Sequence, residues 1–194
     1  MARPGAKAAA KIMEQDMQRN IGYFNVSMLS LPTNFFGPDG PSDKRGLARD
    51  MRYQRLLTAI KMDHPKALPS ATDHMFDVIH IGEQYRDTHN NVMMTDQVLK
   101  KVCLLAGLLE NEASILVDER INASDVKAEL KETTALAVSK YGAYGAPTMR
   151  VSKLNGAQQE EDQLYFGSDR FEQMAWANEW AWVGPDPSKP IHKL

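Results

Sequence analysis

Cysteine is almost absent from this sequence. Cys103 is the only cysteine among 194 residues, which excludes an intrachain disulfide, a CxxC redox pair and a cysteine-rich metal site. Such cysteine usage fits a reducing compartment. Because Cys103 shares an apolar helical face with Leu99 and Ala106, we expect its thiol to be buried and unreactive.

Long apolar runs and an excess of one charge are also missing. The longest apolar stretch, from Val102 to Leu109, is interrupted by Gly107 and is far shorter than the roughly 18 residues that cross a bilayer. The formal net charge is −2 and the pI is about 6.2, with Lys and Arg scattered along the chain. We therefore expect neither nucleic acid nor a membrane as a partner.

Metal-binding patterns are scarce as well. The sequence has five histidines but no HExxH motif and no paired carboxylates at ligand spacing. His74 and His80 are six residues apart on a predicted helix, so their side chains point in roughly opposite directions. We expect no bound metal.

The chain up to residue 140 has the apolar spacing of α-helices. Met13, Met17, Ile21 and Phe24 recur at intervals of three or four residues and predict a first helix that ends at Asn25.

A Pro- and Gly-rich loop that reaches Asp43 follows this helix. A second helix, capped by Ser42 or Asp43, should bury Leu47, Met51, Leu57 and Ile60. A third, from Pro65 or Ser70, should bury Leu68, Thr72, Met75, Phe76 and Ile79. Three more helices are predicted, from Thr95 or Asp96 to Gly107, from about Glu110 to Arg120, and from the cap Ser124 to Lys140.

The pattern changes to β structure after Tyr141. Met149 and Val151 alternate with polar residues, and the strong turn dipeptide Asn155-Gly156 is followed by a returning strand at 163–166. A last helix should carry apolar residues from Phe171 to Trp182 against this hairpin. Trp176 and Trp180, one turn apart in that helix, are expected to be packing anchors. Two strands make a poor sheet by themselves, so we expect further strands to complete it.

Four short motifs identify a family that the chain resembles. They are LKETT at 130–134, KYGAYGAP at 140–147, YFGSDR at 165–170 and WVGP at 182–185. They occur in the order and spacing found in kappa-class glutathione transferases. The resemblance implies an α/β, thioredoxin-like fold of the DsbA/kappa type with a large helical insertion, so that this chain is mostly α with a C-terminal β-hairpin and helix. Residues 1–140 would be the inserted helical domain, 141–185 the C-terminal half of the thioredoxin-like domain, and 186–194 a tail.

The same resemblance implies a glutathione site. A cis peptide before Pro147 would free the N–H and C=O of Ala146 to pair with the cysteinyl backbone of the tripeptide. Ser168 and Asp169, at the start of the last helix, would hold the γ-glutamyl end. Lys7 and Arg170 are further candidate ligands. The alternatives are a trans Pro147, helix capping by Asp169 with Glu172, and a surface salt bridge for Arg170.

Three hypotheses of function follow from the resemblance. The first is a glutathione transferase that conjugates glutathione to a hydrophobic electrophile or reduces peroxides, as a homodimer and without metal. The second is a non-catalytic short isoform or fragment that binds glutathione weakly or pairs with full-length subunits. The third is a glutathione-dependent 2-hydroxychromene-2-carboxylate isomerase.

Both ends of the sequence carry weak targeting signals. Met1 to Met13 lack acidic residues, as mitochondrial transit peptides do, although the exposed first turns of a helix have the same composition. The last three residues, His192-Lys193-Leu194, resemble the peroxisomal Ser-Lys-Leu signal, with a solvated tail as the alternative. We expect a peroxisomal or mitochondrial protein, or else a cytoplasmic one.

The family's thiol-activating serine has no match in this sequence, because it follows a strand that lies upstream of the position matching Met1. We therefore expect purified residues 1–194 to conjugate a chlorinated nitrobenzene no faster than free glutathione does. A thiol left near its ordinary pKa of about 8.5 is only a few per cent thiolate at pH 7. Because the strands that would complete the sheet are also unmatched, we expect exposed apolar surface that binds a hydrophobic dye. A cooperative thermal transition with robust turnover would contradict this expectation.

Overall fold

The structure is a computed structural model that describes residues 4–25, 31–35, 46–47, 50–154, 160–182 and 184. Within these, seven α-helices and one β-hairpin follow each other along the chain. They are α1 (Pro4–Phe24), α2 (Met51–Asp63), α3 (Leu68–Phe76), α4 (Asp96–Leu105), α5 (Glu110–Asp118), α6 (Ser124–Ser139), β1 (Thr148–Leu154), β2 (Glu160–Phe166) and α7 (Phe171–Ala177). Short 3-10 turns lie at Pro65–Ala67, Glu83–Tyr85, Arg120–Asn122 and Ser168–Arg170, and Asp77–Ile81 is π-helical. No described helix is both long and apolar enough to cross a membrane.

The chain divides into two compact units. One contains residues 28–135, and the other contains 1–27 together with 136–194. The division falls within α6.

The hydrophobic core among the described residues belongs to the unit formed by residues 28–135. Its fully buried side chains come mainly from α2, α3, α4 and α5, with Leu56, Ile60, Met75, Leu99 and Leu116 among the largest. Cys103 lies in this core and is completely buried, as expected from its apolar helical face. Burial raises the pKa of its thiol to about 11, so the thiolate that would react is disfavoured.

Helix starts in this unit follow capping chemistry. Thr95 is the N-cap of α4, where its hydroxyl accepts a hydrogen bond from the Val98 N–H at 3.3 Å, as the sequence predicted. The predicted start of α2 was too early, because the helix begins at Met51 and Asp50 is the N-cap. Leu47 is buried but precedes the helix. The predicted caps Ser42 and Asp43 lie outside the described residues.

The buried face of α3 is rotated relative to the prediction. Ala71 and Met75 are buried, whereas Phe76 is 59% exposed. The small Ala71 occupies the core position, and the Phe76 ring instead stacks on His80 with centroids 5.6 Å apart. The assignment of Phe76 to the core was therefore wrong.

The C-terminal hairpin forms as predicted. β1 and β2 pair in antiparallel register from Thr148 opposite Phe166 to Leu154 opposite Glu160. Their turn, which includes Asn155-Gly156, lies outside the described residues, as does the tail with His192-Lys193-Leu194.

Helix α7 is joined to the hairpin through Asn178. This residue is 5% exposed, and its amide nitrogen lies 3.4 Å from the Tyr165 hydroxyl and 3.5 Å from Gln163 Oε1. The helix ends at Ala177, so Trp182 is not part of it. Trp176 is 82% exposed and Trp180 is 50% exposed. Their predicted role as packing anchors is therefore wrong.

Asn34 makes a buried polar contact between the segment 31–35 and the segment that follows the π-helix. It is 3% exposed. Its amide nitrogen donates to the Val92 carbonyl at 3.1 Å, and its amide oxygen accepts from the Val92 N–H at 3.0 Å. The side chain thus pairs with Val92 as a neighbouring strand would.

We predict that Asn34→Ala lowers the free energy of unfolding by about 2–4 kcal/mol, because two buried backbone groups of Val92 lose their partners. Urea denaturation measures the change. The matched control is Asn122→Ala, at an exposed position in a 3-10 turn, which should cost far less. Equal losses in the two variants would show that the pairing with Val92 contributes nothing specific.

Candidate functional site

The predicted site residues other than Lys7 lie at the open end of the hairpin, where β1 begins and β2 ends. The Ala146–Pro147 peptide is cis, as the resemblance implied. The Pro147 carbonyl accepts a hydrogen bond from the Gly167 N–H at 3.0 Å, which continues the ladder by one step beyond Thr148 and Phe166. Ala146 and Ser168 each lie one residue beyond this bond. The predicted ligand-binding residues that flank the two strands therefore lie at the same end of the hairpin.

The backbone of Ala146 is available for pairing. The residue is exposed, and among the described residues neither its N–H nor its C=O makes a hydrogen bond. On either side, the Gly145 carbonyl accepts from the Thr148 hydroxyl at 2.7 Å and the Pro147 carbonyl is bonded to Gly167. Ala146 thus presents one free donor and one free acceptor between two fixed neighbours, which is what an added extended peptide requires.

The turn after β2 is built from Gly167 and a 3-10 turn over Ser168–Arg170. Gly167 has φ +101° and ψ 146°, a backbone conformation that is essentially reserved for glycine. Neither the 3-10 turn nor α7 has a side-chain cap, so Asp169 does not cap the helix here. For the Ser168 hydroxyl there is likewise no hydrogen-bond partner within the described part of the chain.

Asp169 and Arg170 form an ion pair. Arg170 Nη1 lies 3.2 Å from Asp169 Oδ2, and the two side chains are 43% and 66% exposed, respectively. The carboxylate therefore stays accessible to solvent. Lys7 lies in α1, and its side chain is outside the described residues, so it is not placed relative to this turn.

An aromatic pair borders the open end of the hairpin. The Tyr144 and Phe166 rings have centroids 4.4 Å apart, and they are 79% and 40% exposed. Gly145 makes this contact possible, because a Cβ at that position would lie 2.9 Å from Phe166 Cε2. The hairpin end thus combines free backbone groups, an accessible carboxylate and an exposed apolar surface.

A charged cluster lies further along the same face of the hairpin. Arg150 is 4.5 Å above the Tyr141 ring and 2.8 Å from Asp162, and the Ser152 hydroxyl donates to Asp162 at 2.7 Å. Arg150 and, to a lesser degree, Ser152 hold the pKa of the Asp162 carboxyl below its usual range. This cluster consists of paired groups and stabilises the two strands.

No group of three or more His, Cys, Asp or Glu side chains that could hold a metal ion occurs in the described part of the chain. The site contains backbone amides, a hydroxyl, a carboxylate and aromatic rings. Groups of these kinds can hold a polar, peptide-like ligand through hydrogen bonds and charge.

Comparison with known proteins identifies the family of this chain. The family model described as a DSBA-like thioredoxin domain matches residues 7–177. The chain therefore belongs to the DsbA-like thioredoxin family. Within that family its motifs are those of the kappa-class glutathione transferases, and the predicted resemblance is confirmed by similarity to two members of that class.

Two similar proteins are glutathione S-transferase kappa 1 of Rattus norvegicus and of Homo sapiens. The rat protein is 32% identical over 164 residues, which are 84% of this chain and 63% of the rat protein. The human protein is 32% identical over 133 residues, which are 69% of this chain and 53% of the human protein. The chain thus spans less than two thirds of the length of either relative.

Gly167 is the site residue that sequence reasoning undervalued. In the sequence it stands out only as part of the YFGSDR motif at 165–170, yet a Cβ at this position would lie 2.5 Å from Asp169 Oδ1. A glycine directly between a strand and a Ser-Asp pair was the available signal. The role of Gly167 depends on the direction of the Asp169 side chain, which cannot be read from the sequence.

We predict that Arg150→Gln raises the pKa of Asp162 toward its ordinary value, because the variant removes the main group that stabilises the carboxylate. With the pKa lowered in the folded state, the contribution of Asp162 to stability is present above about pH 4 and is lost as the pH falls through the folded-state pKa. NMR titration of the Asp162 side-chain carbon gives the midpoint. Ser152→Ala should raise it less than Arg150→Gln, and an unchanged midpoint in Arg150→Gln would rule out the proposed cause.

Proposed function

We propose that this protein is a glutathione transferase and that the open end of the hairpin binds glutathione. The observation that carries the proposal is the unpaired, exposed backbone of Ala146 beside the Ser168–Asp169 turn. The similarity to two kappa-class enzymes supports glutathione as the ligand for these groups.

The cysteinyl residue of glutathione would bind at Ala146. Its backbone N–H and C=O pair with the C=O and N–H of Ala146, as in an added β-strand. Backbone pairing fixes the direction of the tripeptide and the position of its sulfur, whatever side chain stands at residue 146. The small Ala146 leaves more room beside that sulfur than a larger residue would.

The γ-glutamyl end would bind at Ser168 and Asp169. Its ammonium group is a partner for the accessible Asp169 carboxylate, and its carboxylate is an acceptor for the Ser168 hydroxyl. A hydrogen bond between charged groups is stronger than one between neutral groups. Asp169 should therefore contribute most of the side-chain selectivity for glutathione over other thiols.

The second substrate would be a hydrophobic electrophile. Leu164, Phe166 and Tyr144 are all substantially exposed, and Leu164 and Phe166 point to the same face because they alternate along β2. This surface begins next to Ala146 and would hold an apolar molecule near the glutathione sulfur. The thiol gives its proton to solvent, and the sulfur then forms a bond to the electrophilic carbon as the bond from that carbon to its leaving group, such as chloride, breaks and the leaving group departs with the electron pair.

We predict that Asp169→Asn weakens glutathione binding by roughly 10- to 100-fold, since a charge-assisted hydrogen bond contributes about 1.5–3 kcal/mol. Isothermal titration calorimetry with glutathione on the purified chain measures the affinity. Asp16→Asn is the matched control, because Asp16 is also exposed and also ion-paired with a nearby arginine, Arg19, at 2.6 Å.

The control should bind glutathione as the unmodified chain does. Equal affinities for the two variants would mean that Asp169 does not touch the ligand. No detectable binding by the unmodified chain at millimolar glutathione would overturn the proposed function itself.

A further inference from the structure

Gly167 has two properties that its place in a turn does not by itself require. Its N–H is bonded to the Pro147 carbonyl at 3.0 Å, which ties it to the residue after Ala146. The space that a side chain would fill at Gly167 is taken by the Asp169 carboxylate, whose Oδ1 lies 2.5 Å from the position of a Cβ. A separation below 3.0 Å cannot be tolerated, so any side chain at 167 displaces the carboxylate.

These two contacts place the carboxylate at the hairpin end. Because the carboxylate lies against Gly167 and Gly167 is bonded to Pro147, Asp169 is folded back toward the strands. Arg170 holds the other oxygen at 3.2 Å and so limits rotation of the group. The absence of a side chain at 167 therefore decides where the negative charge lies.

We propose that Gly167 is a positioning residue for the γ-glutamyl end of glutathione, acting through Asp169. This inference rests on the proposed function and concerns the same site. A methyl group at 167 would push Asp169 Oδ1 from 2.5 Å to beyond 3.0 Å from the new Cβ, while the backbone of Ala146, which would bind the cysteinyl residue, would keep its groups. Selectivity for the γ-glutamyl group would then be lost before binding of the remainder of the ligand.

The test compares two ligands and two glycines. Glutathione carries the γ-glutamyl group, whereas the dipeptide cysteinylglycine lacks it. Gly142→Ala is the matched control for Gly167→Ala, because Gly142 also has a positive φ, +65°, but has no heavy atom within 4 Å of the position of a Cβ. Both variants place a side chain at a positive φ, with the greater strain at Gly167, and only Gly167→Ala displaces a carboxylate.

Gly167→Ala should bind glutathione at least tenfold more weakly than the unmodified chain and should bind cysteinylglycine with unchanged affinity, measured by NMR titration. Gly142→Ala should bind both ligands normally. In an Asp169→Ala background, Gly167→Ala should cause no further loss of glutathione affinity, because the group that it displaces is already gone.

A second variant tests the position of the charge without altering the turn. Asp169→Glu keeps the charge but adds a methylene, so the carboxylate no longer fits over Gly167. It should show the same selective loss for glutathione even if Gly167→Ala fails to fold.

The possible failures are distinguishable. Glutathione binding that is normal in both Gly167→Ala and Asp169→Glu would overturn the positioning role and leave the proposed function standing. Equal loss of glutathione and cysteinylglycine in Gly167→Ala and in Asp169→Glu would also overturn it, since this would mean a general collapse of the site. Failure of the unmodified chain to bind glutathione would overturn both proposals.

Discussion

One backbone hydrogen bond, from the Gly167 N–H to the Pro147 carbonyl, organises the candidate site. It extends the β1–β2 ladder past its last strand pair and fixes the two chain segments that leave the hairpin. On one side it leaves Ala146 with free backbone groups, and on the other it sets the start of the turn that carries Ser168 and Asp169. Without this bond the two halves of the site would belong to independent loops.

The two compact units differ in how many of their described side chains are buried. The unit of residues 28–135 contains the described hydrophobic core, and its polar side chains, such as Asn34, satisfy buried backbone groups. The unit that includes the hairpin has few buried side chains among its described residues, Ala175 and Asn178 being examples, and it exposes the groups able to bind a ligand. A functional surface on a small set of irregular residues next to regular elements is a common arrangement.

Much of this fold is predictable from sequence, because helix periodicity, caps and turn residues act locally. The Thr95 cap, the end of α6 and the presence of the C-terminal hairpin are examples. The wrong predictions of burial occur where the same local pattern is compatible with more than one packing arrangement. In α3, the predicted buried face included Phe76, whereas the structure buries Ala71 and exposes Phe76. The i,i+4 spacing of Trp176 and Trp180 does not place them on one helical face, because the helix ends at Ala177.

The candidate site is less predictable from local pattern. Ala146 and Asp169 were identified only through a family resemblance, since a free backbone amide has no signature in the sequence. The role of Gly167 depends on a side-chain direction that only the folded structure supplies.

The complete burial of Cys103 has a consequence for the chemistry of sulfur in this protein. These 194 residues contain one thiol, and the core keeps it protonated and out of reach of solvent. Within these residues, oxidised glutathione therefore has no accessible thiol with which to form a mixed disulfide, and thiol-alkylating compounds have no accessible thiol to react with. Under the proposed function, the reacting thiol would arrive with glutathione and leave with the product, and the polypeptide would stay chemically unchanged.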